Sequence, residues 1–232
     1  MFDLIAFDAD DTLWHNEPLY AEAEDKLAEL LSTYADHDTI MQRLFETEME
    51  NLAYYGYGIK SFTLSMIETA IKLSGGTIQG VDIEKIINLA RTMLANQTQV
   101  LAHVEKTVST LSQAYPLMII TKGDLLDQEV KLARANIGSY FEHVEIVSHK
   151  NQGTYADLLA RYKIDPHRFL MVGNSLKSDV LPVVELGGHG VYIPYHVTWA
   201  HEVVEEHPDN HNGYHELEHI GQLPTLIEKL QA

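Results

Sequence analysis

Short apolar segments and helical periodicity alternate along this chain, and their order predicts the fold. Phe2 to Phe7 is short and mostly apolar, which is typical of a buried strand. From about Glu17 to Asn96, apolar residues recur with helical spacing, for example at Leu19, Ala23 and Leu27, and strand-like runs are absent. We therefore predict one strand followed by an all-helical block.

Beyond this block, the pattern predicts strands that are separated by single helices. The predicted strands are Leu117–Thr121, Val144–Val147, Phe169–Val172 and Gly190–Ile193. The predicted helices between them are Leu125–Ala135, Tyr155–Tyr162 and Val180–Leu186. Strands joined by single helices imply parallel crossovers. The first strand has no partner of its own, so it must join this sheet.

The pattern as a whole predicts an α/β protein with a Rossmann-like parallel sheet core and an inserted all-helical domain. We assign residues 1–16 and 97–232 to the core and residues 17–96 to the insertion. Gly56, Gly58 and the pair Gly75-Gly76 mark turns between the helices of the insertion.

Charge and composition narrow the range of functions. The chain has 34 acidic and 16 basic residues and a formal net charge of −18. This argues against a nucleic-acid partner, because such surfaces need clustered Lys and Arg. The electrostatic field of this negative charge should also repel phosphate. A phosphate site would therefore need local cations such as Mg²⁺ or well-placed lysines.

The absence of cysteine excludes disulfides, thiolate catalysis and sulfur-ligated zinc, and it fits a reducing cytosol. No apolar run approaches the roughly 20 residues that cross a bilayer. The N-terminus has no basic region that would indicate a secretory signal. We expect a cytoplasmic protein, monomeric or homodimeric, with a small-molecule partner and no membrane.

Polar side chains follow the first predicted strand. Asp8 and Asp10 are two residues apart, and close carboxylates repel each other unless a cation shares them or one holds a proton. A metal-neutralised Asp can attack an electrophile, and a protonated Asp can donate to a leaving group. A helix N-cap at Asp10 or Thr12 would explain one acid but not the pair. The helical block follows directly, where a cap over an active site would be inserted.

The later strands also end in polar residues. These are Thr121 with Lys122, then Lys150, and then Asn174 followed by Asp179. A parallel sheet brings such strand ends to one rim, where oxygen ligands and an ammonium suit Mg²⁺ and an anionic substrate. Singly, each has an ordinary explanation as a cap or a solvated lysine. The occurrence of all of these residues, each after a successive strand, favours a functional site.

Taken together, these residues resemble the haloacid dehalogenase superfamily of hydrolases. Asp8 to Thr12 matches its first motif, D-x-D-x-T, Thr121 matches the second, and Lys150 matches the third. Gly173 to Asp179 resembles the fourth motif, of the type G-D-x-x-x-x-D. The match extends over nearly the whole chain, and the helical block lies where the family's type-one cap is inserted. Asn174 replaces the first acid of the fourth motif, which leaves open whether Asn174 or Asp179 contacts a metal.

The resemblance implies a reaction. Asp8 would be the nucleophile that forms an aspartyl-phosphate, and Asp10 would protonate the leaving alcohol and then activate water. Thr121 and Lys150 would hold the phosphoryl oxygens, while Lys122 would add charge there or point to solvent. The metal, Mg²⁺, would be held by the following residues: Asp8, Asp10 through its carbonyl, Asn174 and Asp179. Family members that cleave carbon–halogen or carbon–phosphorus bonds are expected to lack an acid at the Asp10 position.

We therefore expect an Mg²⁺-dependent phosphatase acting on a small phosphorylated metabolite. A phosphomutase of the same fold stays open as an alternative, as does a catalytically silent binding protein, an idea that only Asn174 supports. In the insertion, Tyr57 and Lys60 either form a loop over the substrate or belong to an ordinary turn with packed tyrosines. After the first motif, Trp14 and His15 either shape the pocket or, for Trp14, pack in the core. A solvated surface segment is expected for the histidine-rich C-terminal stretch: His196, His201, His207, His211, His215 and His219.

Overall fold

The computed structural model describes residues 2–197, 199–202, 204 and 212–231. Its sheet contains the strands β1 (Leu4–Phe7), β2 (Leu117–Lys122), β3 (His143–Val147), β4 (Phe169–Gly173), β5 (His189–Tyr192) and β6 (Tyr214–Glu216). They are ordered β3-β2-β1-β4-β5-β6, and all adjacent pairs are parallel. The predicted parallel α/β core is confirmed, and β1 lies inside it between β2 and β4.

The helices are α1 (Glu17–Leu31), α2 (His37–Tyr55), α3 (Ile59–Leu73), α4 (Gly80–Ala95), α5 (Val104–Leu111), α6 (Leu125–Ala135), α7 (Gln152–Tyr162), α8 (Leu181–Glu185) and α9 (Leu223–Leu230). None of the helices within the described residues is long and apolar enough to cross a membrane. Where the sequence predicts a helix from Val180, the structure has a wide turn of π type over Leu176–Val180 that leads into the shorter α8.

The central strands are apolar on both faces, because each face is covered. Ile5 and Phe7 point into one cluster, in which Val104 of α5 and Ile227 of α9 also pack. Leu4 and Ala6 point into the other cluster, which contains Leu158 of α7 and residues of β4. Successive side chains of a strand alternate between the two faces of a sheet, so a strand covered on both sides reads as a continuous apolar run.

The chain forms two compact units. The first comprises Met1–Glu17, Thr98–Lys122 and Val130–Ala232, and the second comprises Pro18–Gln97 and Gly123–Glu129. The second unit has its own apolar core, to which α1, α2, α3 and α4 all contribute. The sequence prediction assigned all of residues 97–232 to the core domain, whereas the contacts of residues 123–129 group them with the helical unit.

Candidate active site

Asp8 is the first residue after β1, and its backbone N–H donates to the carbonyl of Val172 at 2.8 Å. The neighbouring β2 and β4 enclose it, so that the residue is only 7% exposed. Oδ1 accepts a short hydrogen bond from Lys150, and Oδ2 accepts one from Thr12 Oγ1 at 3.2 Å. Burial raises the pKa of Asp8 to about 7, which Lys150 opposes and Asp179 reinforces.

Lys150 is a buried cation between two buried carboxylates. It lies between β3 and α7, and its Nζ donates to Asp179 Oδ1 at 2.7 Å as well as to Asp8. Burial would lower the pKa of Lys150, but Asp179 and Asp8 raise it well above its usual range. Its side chain is 1% exposed, so the sequence-based alternative of a solvated lysine is wrong.

The loop after β4 is built around Asp179. Its Oδ2 accepts the backbone N–H of Ser175 at 3.0 Å, and the Ser175 hydroxyl caps the following turn at the N–H of Ser178. A Cβ on residue 173 would lie 2.1 Å from Asp179 Oδ2, which explains why glycine precedes the loop. Asp179 therefore has both of its oxygens engaged within the protein, by Lys150 and by Ser175.

Three further oxygens surround one atom of the Asn174 side chain. One terminal atom of this amide lies 3.2 Å from Asp8 Oδ2, 3.3 Å from the Asp10 carbonyl oxygen and 3.2 Å from Thr12 Oγ1. If that atom is nitrogen, it donates to these oxygens. If it is oxygen, Thr12 donates to it, and it faces the Asp8 and Asp10 oxygens as a set of acceptors that a cation would satisfy.

The spacing of these oxygens also fits Mg²⁺. Neighbouring oxygens around an octahedral Mg²⁺ are about 3.0 Å apart, since each lies about 2.1 Å from the ion. Across the part of the chain that the structure describes, this site included, no cluster of three or more His, Cys, Asp or Glu side chains is arranged to hold a metal. The group of oxygens at Asp8 is of a different kind from such side-chain clusters, because the Asp10 backbone carbonyl and the Asn174 amide supply two of its oxygens.

The Asp10 carboxylate is held by two residues that the sequence did not connect with it. Trp14 Nε1 donates to Asp10 Oδ1 at 2.7 Å, and Lys131 Nζ lies 3.1 and 3.2 Å from its two oxygens. Trp14 is 1% exposed and packs in the apolar cluster of β1, so the predicted core role is confirmed, while a role in shaping the pocket stays a prediction. Lys131 lies 121 positions from Asp10 in sequence and carries no motif that points to it.

Thr121 is the second-last residue of β2 and is buried, with 2% of its surface exposed. The next residue, Lys122, pairs with Glu202 at 2.5 Å and donates to Ser178 Oγ at 3.0 Å. Glu202 also accepts the hydroxyls of Ser175 and Ser178, at 2.5 and 2.6 Å. Glu202 therefore links Lys122, the residue after the second motif, to the loop of the fourth motif through Ser175 and Ser178. The phosphate contacts proposed for Thr121 and Lys122 stay predictions.

Glu202 remains charged down to low pH. Burial alone would raise its pKa, but the Lys122 ammonium and three hydrogen bonds lower it to about 2. Since the folded-state pKa is below the ordinary value of 4.5, the carboxylate stabilises the fold above pH 4.5 and loses this contribution as the pH falls towards 2. The shift corresponds to about 3 kcal/mol at neutral pH.

Glu202→Gln is expected to lower the free energy of unfolding by about 2–3 kcal/mol at neutral pH, because it removes the carboxylate charge that pairs with the partly buried Lys122 ammonium. The difference from the natural protein should shrink as the pH falls towards 2, where Glu202 itself is protonated. Urea denaturation at a series of pH values measures both effects. Glu29→Gln, an exposed change in α1, is the matched control and should stay within about 0.5 kcal/mol. A difference that is constant with pH would contradict the assigned role of the charge.

Asp11 is a third acid beside the motif, and it supports the turn. It adopts a left-handed backbone with φ of 62° and accepts the N–H groups of Asn16 at 2.8 Å and Glu17 at 3.0 Å. Burial raises the pKa of Asp11 to about 6, and these hydrogen bonds oppose the rise. The Tyr195 hydroxyl bonds to Asp11 and lies 2.6 Å from His15 Nδ1. These contacts hold the turn against the chain that follows β5.

Tyr57 and Lys60 belong to the second unit, where they lie at the junction of α2 and α3. Gly56 and Gly58 adopt positive φ angles of 67° and 103°, which allow the sharp change in direction. Lys60 is the second residue of α3, and its Nζ donates to Asp124 Oδ1 at 2.8 Å. The substrate contacts proposed for Tyr57 and Lys60 stay predictions.

The alternative explanation of this junction requires tyrosines that pack on the helical core. Tyr54 and Tyr55 are 80% and 54% exposed, so this packing does not occur for them. Tyr57 itself is partly buried. The junction is therefore a turn with aromatic side chains at its surface.

The histidine-rich stretch has more structure than the sequence predicts. His215 lies in β6, partly buried, with Nε2 3.2 Å from His189 Nδ1, so the predicted solvated segment is wrong at this residue. His219 is exposed and stacks on His103 at 4.6 Å. His207 and His211 lie outside the described residues.

With the geometry established, comparison with known proteins identifies the family. Residues 2–187 match the family model of the haloacid dehalogenase-like hydrolases. This chain belongs to that family. The hydrolase is 37% identical to a haloacid dehalogenase-like family hydrolase of known structure from Xanthomonas campestris, with a TM-score of 0.89 over 99% of this chain and 91% of the other.

Two further relatives differ in activity. The hydrolase is 27% identical to a glyceraldehyde 3-phosphate phosphatase from Pyrococcus abyssi over 213 residues, or 84% of this chain and 82% of the relative. It is 19% identical to a 2-haloacid dehalogenase of known structure from Pseudomonas syringae pv. tomato, with a TM-score of 0.64 over 99% of this chain and 100% of the other. The second likeness shows the fold alone.

Proposed function

We propose that this hydrolase is an Mg²⁺-dependent phosphatase that cleaves a small phosphorylated metabolite through an aspartyl-phosphate on Asp8. The observation that carries the proposal is Asp10, a carboxylic acid two residues from the nucleophile. An alkoxide is a poor leaving group, so cleavage of an alkyl phosphate needs a proton donor. Cleavage of a carbon–halogen bond releases halide, which needs no proton donor. The phosphatase from Pyrococcus abyssi supports the same choice.

In the first step, an Asp8 oxygen bonds to phosphorus while the bond from phosphorus to the alcohol oxygen breaks. Asp10 gives its proton to that oxygen, and the alcohol leaves. In the second step, a water oxygen bonds to phosphorus, Asp10 takes a proton from the water, and the bond to Asp8 breaks, which restores both carboxyl groups. Lys150, in contact with Asp8, holds the nucleophile in place and offsets its charge.

The cation would be held by Asp8 Oδ2, the Asp10 carbonyl and the Asn174 amide oxygen. When bound, Mg²⁺ supplies positive charge that orients the phosphoryl oxygens and offsets their repulsion by the acidic protein. We propose Asn174 rather than Asp179 as the direct protein ligand of the fourth motif, because Lys150 and the Ser175 N–H already engage both Asp179 oxygens. We further propose that Thr121 and Lys150 contact the phosphoryl group, and that Lys60 and Tyr57 contact the substrate from the helical unit.

The direct test is hydrolysis of para-nitrophenyl phosphate with Mg²⁺, after EDTA treatment, and after Mg²⁺ is restored. We expect turnover that EDTA abolishes and excess Mg²⁺ recovers. Asn174→Asp adds a charged ligand, so it should lower the Mg²⁺ concentration needed for half-maximal activity. A rise in melting temperature with Mg²⁺ provides a binding readout that does not depend on turnover. A folded protein that releases no phosphate, or that releases halide from a 2-haloacid instead, would contradict the proposal.

A further inference from the structure

Lys131 has no place in the proposed reaction, yet it occupies a buried position beside Asp10. The residue is 8% exposed, and its Nζ donates to Asp10 Oδ1 and Oδ2 at 3.1 and 3.2 Å and to Asn16 Oδ1 at 2.8 Å. Moving an ammonium out of water is strongly unfavourable unless charged and polar partners surround it. Asp10 and Asn16 are a charged and a polar partner of this kind for Lys131.

We propose that Lys131, together with Trp14, is a positioning residue that fixes the Asp10 carboxyl group for proton transfer to the leaving alcohol. Trp14 Nε1–H and the Lys131 ammonium donate to the same oxygen, Asp10 Oδ1, from two directions, and Lys131 also reaches Oδ2. Three contacts from buried side chains hold the carboxyl group in one orientation. Proton transfer depends steeply on such orientation, since donor and acceptor must come within hydrogen-bond distance.

The anchoring of Lys131 supports this role. Asn16 Oδ1 accepts a hydrogen bond from Lys131. Asn16 lies in a buried turn that Asp11 stabilises by accepting the Asn16 backbone N–H at 2.8 Å. Asp10 and Asn16, both in the segment after β1, thus contact the Lys131 ammonium together. After Asp10 has given up its proton, it is the carboxylate that best accepts these hydrogen bonds.

The inference rests on the proposed phosphatase activity, and it predicts a dependence on the leaving group. The value of kcat/KM reports the steps up to release of the alcohol. Para-nitrophenolate leaves without a proton, whereas an alkoxide needs one. Lys131→Met should therefore lower kcat/KM by about 10²-fold for a simple alkyl phosphate and by less than about 10-fold for para-nitrophenyl phosphate. Lys131→Arg, which keeps a cation there, should recover part of the loss.

Two reference variants make the result decisive. Asp10→Asn should show the same selective loss, and Trp14→Phe, which removes the N–H donor, should show it in weaker form. Melting temperatures of all variants establish which are folded, and Trp14→Phe provides the test if Lys131→Met does not fold. If Asp10→Asn is selective while the Lys131 and Trp14 variants slow both substrates equally, the inference is overturned and the phosphatase assignment stands. If the natural protein hydrolyses neither phosphate, the phosphatase assignment itself fails.

Discussion

Asp8→Asn is expected to abolish turnover, lowering kcat by at least about 10³-fold, while the protein remains folded. The amide has nearly the shape of the carboxylate but lacks the anionic oxygen that would attack phosphorus. Its oxygen can still accept from Lys150, and its NH₂ group can donate to Thr12 Oγ1, at the positions of the two Asp8 oxygens in the natural protein. Release of phosphate at saturating substrate, together with far-ultraviolet circular dichroism, measures both parts of this prediction.

A second readout identifies the intermediate directly. Mass spectrometry of rapidly quenched reactions should detect phosphorylated protein for the natural chain and none for Asp8→Asn. Asp38→Asn is the matched control, because it makes the same chemical change on a fully exposed side chain in the first turn of α2. Residual activity of more than a few per cent in a verified Asp8→Asn preparation would remove Asp8 as the nucleophile.

Lys150→Met is expected to lower both stability and activity. It leaves Asp8 and Asp179 buried without the cation that lies between them. Removing one partner of a buried ion pair lowers the free energy of unfolding by about 3–5 kcal/mol. Loss of the charge next to the nucleophile should reduce kcat by at least about 10²-fold. Urea denaturation and steady-state kinetics measure the two effects.

The pH dependence and two further variants separate charge from packing. Asp8 has its pKa raised to about 7, so its contribution to stability is present below the ordinary value of 3.8 and is lost as the pH rises through 7. The loss in free energy of unfolding caused by Lys150→Met should therefore shrink as the pH falls.

Adding Asp179→Asn to Lys150→Met should restore part of the stability but not the activity. Lys26→Met, which breaks an exposed pair with Glu22, should change stability by less than about 1 kcal/mol. A loss no larger than that of Lys26→Met would show that the Lys150 pair does not stabilise the fold.

The sequence alone predicts five of the six described strands of the sheet and their parallel arrangement. Leu117–Ile120 and Phe169–Val172 are continuously apolar because α-helices cover both faces of the central strands. The polar residues that follow each run mark the rim where Asp8, Lys150 and Asn174 come together. Strand β6 was missed because Tyr214–Glu216 is three residues long, polar, and lies at the edge of the sheet, where no apolar run is needed.

What the sequence determined by itself, then, was the order of five strands and of the helices that connect them, and the residues of the four motifs. Both depend on local periodicity and on position at strand ends. Only the tertiary structure decided which side chains hold those residues. Lys131 and Glu202 reach Asp10 and Lys122 across 121 and 80 positions of sequence. No local pattern encodes such pairings, since they arise only when the packed sheet brings distant charges out of water, where each needs a partner of opposite sign.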